Sequence, residues 1–144
     1  MLKVNHLSKI FSNISILKDV SFELPKKGLI FLTGKSGSGK SILLNLLGGI
    51  DKPSRGTITI GNQEIQILSN QHLDIYRNYF LGFIFQEYNL LENLTVFENI
   101  KIICELQSKK FDDEQIYQTL KQVDLQNLAT RYPYQLSLED KNKE

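Results

Sequence analysis

The feature that most constrains this 144-residue chain is the run Gly34-Lys35-Ser36-Gly37-Ser38-Gly39-Lys40-Ser41. Its glycines, lysine and final serine fit G-x-x-x-x-G-K-[ST]. The run follows Leu29, Ile30, Phe31, Leu32 and Thr33, whose unbroken apolar pattern predicts a buried strand. It precedes Ile42, Leu43, Leu44, Asn45, Leu46 and Leu47, which read as the first turns of a helix. Strand, Gly-rich loop and helix in that order make a phosphate-binding P-loop. Glycines let backbone N–H groups converge on phosphate oxygens, and the helix start adds donors with no partner of their own. In such a loop Lys40 reaches the β- and γ-phosphates, and the Ser41 hydroxyl sits on Mg²⁺.

Composition adds limits rather than a function. Seventeen basic and sixteen acidic residues leave a net charge of +1. That is no electrostatic footprint for nucleic acid and no polybasic membrane patch. The longest apolar run, residues 42–50, is interrupted by Asn45 and two glycines. It falls well short of the ~20 residues that span a bilayer, so direct membrane insertion is not expected. The first six residues lack a signal-peptide layout. Cys104 lies in an apolar helical pattern and reads as a buried, inert thiol. His6 and His72 read as surface histidines.

Read in order, residues 2–7 predict a first strand, 8–15 a polar turn region with Phe11 exposed, and 16–24 a second strand with Val20, Phe22 and Leu24 inward. Gly48 and Gly49 should end the P-loop helix. Residues 57–60 predict a β-branched strand, turned at Gly61-Asn62 into 64–68. Ser69 is a fitting N-cap for a helix over 70–79. Residues 81–85 predict a second buried strand with Gln86 at its end. Thr95 and Glu98 form a capping box for a helix whose Val96, Ile100, Ile103 and Leu106 share a face. Asp112 or Asp113 opens another, with Ile116, Leu120 and Val123 on one face. A short helical turn follows over 124–130, and 131–137 reads as irregular.

The P-loop alone is shared by many nucleotide binders. The wider pattern is narrower: strands and Phe11 before the loop, Gln86 ending an apolar run after it, and Leu136-Ser137 after a helical stretch. Over about residues 1–137 the chain resembles the nucleotide-binding domain of ABC transporters. The stretch 76–95 is similar to the subfamily that moves lipoproteins, macrolides and antimicrobial peptides. The resemblance implies an α/β, P-loop NTPase-like ABC ATPase fold. An antiparallel β-subdomain and the P-loop core would occupy about 1–86, and the Q-loop and helical subdomain 87–137. It implies ATP and Mg²⁺ as cofactors, with Phe11 stacked on the adenine and Gly34 to Ile42 around the phosphates. Ile42 stands where the family usually has Thr, a loss of about 0.5–1.5 kcal/mol for one hydrogen bond. Gln86 would join Ser41 at the metal. The implied partners are a transmembrane permease subunit and a second nucleotide-binding domain, placing the chain in the cytoplasm on the inner face of the membrane. Tyr88, Leu90, Leu91, Leu94 and Phe97 would receive the permease; packing down onto their own helices is equally open.

The pattern departs at the end. The family signature is Leu-Ser-Gly-Gly, and here Leu138, Glu139 and Asp140 follow Ser137. Side chains there would block close backbone approach, and the carboxylates would face a polyanion. No apolar strand ending in Asp-Glu and no switch histidine follow, so catalytic residues are not assigned. The expectation is a fold incomplete at its C-terminus, with 138–144 a charged, disordered tail. It would be an ATP-binding subunit of an exporter with little hydrolysis of its own. A non-catalytic subunit that docks on a permease is the alternative. A small P-loop kinase is disfavoured by the scatter of Arg55, Arg77 and Arg131.

Overall fold

Two long strands, β1 (Leu2–Phe11) and β2 (Ile14–Leu24), pair as an antiparallel hairpin in the computed structural model, which describes residues 1–85, 88–106 and 112–136. Only Ser12 and Asn13 form the turn, both with positive φ (45° and 67°), so the expected polar turn over 8–15 is much shorter. The ladder then extends through β3 (Arg55–Ile60) and β4 (Gln63–Glu64) in the order β2-β1-β3-β4. The expected strand over 64–68 is thus only its first residue.

The hairpin is irregular in three places. Its register shifts between Val4 and Leu7, between Leu7 and Lys9, and between Lys9 and Ile10. The last shift leaves Ile16 as an extra residue, because Lys9 faces Leu17 while Ile10 faces Ser15. Such bulges bend a strand and re-aim its side chains. His6 and Asp19 sit at the other two with φ of 49° and 51°, and their side chains meet at 2.7 Å.

The chain separates into two compact units, Met1–Gly82 and Phe83–Glu144. In the first, α1 (Lys40–Leu47) turns Leu43 and Leu46 onto Val4, Leu7, Leu17 and Ile58 of the sheet, joined by Ile65 and Tyr76. Each fully buried aliphatic side chain contributes about 1.5–3 kcal/mol, so this apolar cluster is what seats the P-loop helix. Gly48 ends α1 as expected. Helix α2 (Asn70–Phe80) begins at Ser69, whose hydroxyl accepts the His72 N–H. It also finishes α1: the Tyr76 hydroxyl donates to the Leu47 carbonyl at 3.0 Å and Arg77 to that of Gly49 at 2.7 Å. Carbonyls at a helix end lack intrahelical partners, and a cation there also suits the dipole.

The second unit holds α3 (Val96–Leu106) and α4 (Asp113–Gln122). The expected capping box at Thr95 is present, and Asp112 forms a second one. Glu98 accepts from Thr95 N–H while Thr95 Oγ1 accepts from Glu98 N–H, and Asp112 and Gln115 do the same for α4. Val96, Ile116, Leu120, Leu125, Ala129 and Leu136 make the core. The apolar face expected for α3 holds only in its first turns. Ile103 and Leu106 are exposed, and Cys104 is half-buried rather than buried. The short helical turn expected over 124–130 is a 3₁₀ turn at Gln126–Leu128, and a second one at Pro133–Gln135 interrupts the stretch expected to be irregular.

Two expected buried strands are not strands. Residues 29–33 join no sheet among the described residues, and Leu29 and Phe31 are 81% and 79% exposed. Residues 81–85 are likewise unpaired; Phe83 and Phe85 stack on each other at 5.4 Å while Ile84 is fully exposed. A strand is defined by its partners, and these segments have none among the described residues to accept and donate ladder hydrogen bonds. Gln86, Ser137, the tail 138–144 and the linker 108–111 lie outside the described residues.

Candidate nucleotide-binding site

The loop 34–41 is shaped by backbone conformations that suit glycine. Gly34, Gly37 and Gly39 have φ of 156°, 76° and 88°. At Gly39 the space is also full: a Cβ would lie 3.0 Å from Leu17 Cδ2 and 3.3 Å from Ile16 Cγ2. The bulge at Ile16 therefore brings β2 against the last glycine of the loop. At Gly34 a Cβ would lie 2.8 Å from Ser38 Oγ. At Gly37 nothing lies within 4 Å, so the loop opens outward there.

Gly39 is the N-cap of α1 and offers no side-chain acceptor. The first intrahelical bond runs from Leu43 N–H to the Gly39 carbonyl at 2.9 Å. The N–H groups of Lys40, Ser41 and Ile42 precede that bond and are left for an outside acceptor. The Lys40 ammonium folds back over the loop, donating to the carbonyls of Gly34 at 2.9 Å and Lys35 at 2.8 Å. One further bond, Ser38 N–H to the Lys35 carbonyl at 3.2 Å, closes the tip. Lys35, Ser36, Ser38 and Ser41 are exposed, and Ile42 is half-buried against the core. No carboxylate pairs with a loop residue among the described residues. The result is a positively charged loop rich in N–H donors, an arrangement that suits an anion with several oxygens.

Phe11 ends β1, opposite Ile14 at the hairpin tip, and is 45% exposed. The same hairpin carries Ile16 and Leu17, the residues against Gly39. Lys9 was not singled out from the sequence. It is buried, and its ammonium donates to Asp51 Oδ1 and the Lys52 carbonyl, each at 2.7 Å, and lies 4.5 Å from the centre of the Phe11 ring. Its partners lie some forty residues along the chain, and no local pattern announces them.

The expected docking residues divide. Phe97 packs on the second core and on Tyr117 at 5.1 Å. Tyr88, Leu90 and Leu94 are half-buried, and Leu91 is exposed. Asn99 organises this loop. It is buried, accepts the Leu91 N–H at 2.8 Å, and donates to the carbonyls of Leu91, Leu94 and Thr95 at 3.2, 3.1 and 3.0 Å. A signal was present, a lone Asn three residues after Val96 on a helix that is otherwise apolar on that side.

The sequence pattern of the ABC transporter family matches residues 17–143, including the whole loop. The chain belongs to the ABC transporter family. It is 40% identical over 136 residues to the sulfate/thiosulfate import ATP-binding protein CysA of Mesostigma viride, covering 93% of this chain and 37% of that protein. It is 39% identical over 143 residues to the lipoprotein-releasing system ATP-binding protein LolD of Buchnera aphidicola subsp. Schizaphis graminum, covering 95% of this chain and 62% of that one. A dimeric ATP-binding cassette, solved in a post-hydrolysis state with ADP and inorganic phosphate, superposes with a TM-score of 0.85 at 29% identity. The match covers 99% of this chain and 66% of that one. The fold is that of an ABC ATPase cassette over this span, and the chain spans less than two thirds of the length of these relatives.

Proposed function

We propose that this chain is a MgATP-binding component of an ABC transporter, working with a transmembrane permease and a second nucleotide-binding domain. The observation that carries the reading is the loop itself. The first N–H groups of α1 have no intrahelical acceptor, the Lys40 ammonium lies over the same loop, and the glycines give that loop its positive-φ turns. ATP fits this donor set. Mg²⁺ fits the exposed Ser41 hydroxyl. Among the described residues no three His, Cys, Asp or Glu side chains group to hold a metal alone, and Mg²⁺ is commonly shared between one or two protein ligands and phosphate oxygens. Gln86 is proposed as the second protein ligand. Bound Mg²⁺ would offset phosphate charge; Lys40 and the loop N–H groups would hold and orient the triphosphate, and Phe11 would stack on the base.

The described residues supply a cradle rather than a proton acceptor, so the chain alone is expected to bind ATP and turn it over negligibly. The lipoprotein-releasing relative supports export of a lipoprotein or peptide-like substrate. The exposed Leu91 and its half-buried neighbours are the proposed permease surface. No described helix is long and apolar enough to cross a membrane, and the proposed place is the cytoplasmic face, through the permease.

Calorimetry with ATP in the presence of Mg²⁺ tests the reading. Lys40→Ala should weaken binding by more than about tenfold, the loss of a charge-assisted contact, and Ser41→Ala should remove the Mg²⁺ dependence. Equal affinity in the chain and in Lys40→Ala would overturn it.

A further inference from the structure

Lysine almost never lies fully buried without partners, and its stem usually lets the ammonium reach water. Lys9 departs from that habit. It is 8% exposed, and its ammonium is shared among three groups: the Asp51 carboxylate and the Lys52 carbonyl, each at 2.7 Å, and the Phe11 ring, whose centre is 4.5 Å away. An ammonium has three N–H directions, so two acceptors and one ring face can use them all. The anchor is itself tied down. Asp51 Oδ1 also accepts the Lys52 N–H at 2.7 Å. The Ser54 N–H donates to the Ser8 carbonyl at 2.9 Å, and Ser54 Oγ accepts the Ile10 N–H at 3.0 Å. Residues 51–54 are thus fastened to β1 on both sides of Lys9.

Phe11 needs such support. It sits at a two-residue turn, faces an Ile14 that is 64% exposed, and has no hydroxyl with which to fix its own ring. We propose that Lys9 is a positioning residue for the base: it caps one face of Phe11 and holds the ring so that the other face is presented to adenine. This rests on the assignment of Phe11 as the stacking platform. Asp51 acts through Lys9, and the loop after α1 thereby contributes to recognition of the base although it touches no phosphate. An aromatic ring already ordered gives up less freedom when a planar ligand stacks on it. The ring's negative faces also allow a cation on one side and a stacked base on the other.

The test compares ATP with inorganic tripolyphosphate, both with Mg²⁺, on the full 144-residue chain. Tripolyphosphate reads the cradle alone; the ratio of the two affinities reads the base. Lys9→Met should weaken ATP roughly three- to tenfold, the scale of a partly desolvated cation–π contact, and leave tripolyphosphate unchanged. Lys9→Arg should restore most of the ratio, since a guanidinium can both pair with Asp51 and cover the ring. Asp51→Asn should lower the ratio in the same direction, and it carries the comparison if Lys9→Met does not fold. Adding Phe11→Ala to Lys9→Met should produce no loss beyond Phe11→Ala alone. The proposal is overturned if the ratio survives in Lys9→Met while Phe11→Ala lowers it. It is equally overturned if both ligands weaken together, or if the double variant is worse than Phe11→Ala. A ratio untouched by Phe11→Ala itself would instead remove the platform assignment.

Discussion

Gly39 is where the loop and the sheet meet, and its neighbour in kind, Gly37, gives the control. Both have positive φ, 88° and 76°, but only Gly39 has atoms waiting for a Cβ, with Leu17 Cδ2 at 3.0 Å. An alanine at either site takes on a left-handed strain of about 1 kcal/mol. At Gly39 it must also push β2 away from the helix start, so Gly39→Ala should cost about 1–3 kcal/mol more than Gly37→Ala. Parallel denaturant melts of the two variants measure the difference; equal midpoints would contradict the packing argument. Glu98 gives a pH dependence. Its carboxylate accepts from Thr95 N–H and Thr95 Oγ1, and these bonds hold its pKa below the ordinary 4.5. A lowered folded pKa means that the bonds stabilise α3 fully above pH 4.5 and lose that effect as pH falls below it. Glu98→Gln should therefore flatten the stability profile in that acid window, measured by melts at stepped pH. Features of this kind were legible in the sequence where the partner is close along the chain. The N-caps at Ser69 and Thr95 and the helix stop at Gly48 were readable, and the start of α4 was readable as Asp112 or Asp113. Lys9 was not, because a lysine in an alternating strand looks solvent-facing until Asp51 is brought to it.

At the scale of elements, the C-terminal end of α1 is secured by the next helix rather than by α1 itself. Tyr76 and Arg77 lie on α2, yet their hydrogen bonds finish α1. Burial pushes the Tyr76 hydroxyl up to about 12 from its usual 10.0. The raised folded pKa works in the opposite sense to Glu98: its contribution is whole below pH 10.0 and drains away as pH climbs toward about 12. Tyr76→Phe should remove that alkaline loss and cost about 1 kcal/mol at neutral pH, by leaving the Leu47 carbonyl without its donor. A pair of urea melts at neutral and alkaline pH tests both halves. Asn99 does for residues 91–95 what Tyr76 does for α1. Asn99→Ala leaves the Leu91 N–H and the Leu94 carbonyl unmatched, while the Leu91 and Thr95 carbonyls keep the N–H groups of residues 94 and 99, and should cost about 2–4 kcal/mol. It should also speed hydrogen exchange at the Leu91 amide, where Asn99→Ser keeps an acceptor and so should be milder. Periodicity placed α2, α3 and α4 within a few residues. It overextended the apolar face of α3, since Ile103 and Leu106 obey the spacing but meet no core. Helical spacing states which residues share a face, not how far the facing element reaches.

At the scale of the whole molecule, the two apolar clusters and the four-stranded sheet account for the stable elements, and residues 29–32 fall outside them. Leu29, Ile30, Phe31 and Leu32 are 81%, 47%, 79% and 43% exposed, directly before the phosphate loop. An unbroken apolar run of this type belongs to a strand covered on both faces, which is why the sequence predicts one. The prediction failed because pairing is a property of neighbours, and none of the described strands borders these residues. An apolar stretch with free backbone groups is a template for another chain. The 144-residue chain is therefore expected to self-associate in a concentration-dependent way through residues 29–32. Phe31→Lys should suppress that association without disturbing either core, because the Phe31 side chain belongs to neither cluster. Light scattering and sedimentation across a concentration series provide the measurement, with Ile103→Lys as a control at an exposed apolar site on α3. Equal suppression by both substitutions would assign the association to general surface hydrophobicity. Suppression by Phe31→Lys alone locates it beside the loop, and nucleotide binding should then survive in the monomeric variant, since the groups that meet phosphate begin at Gly34 and lie beyond the substituted side chain.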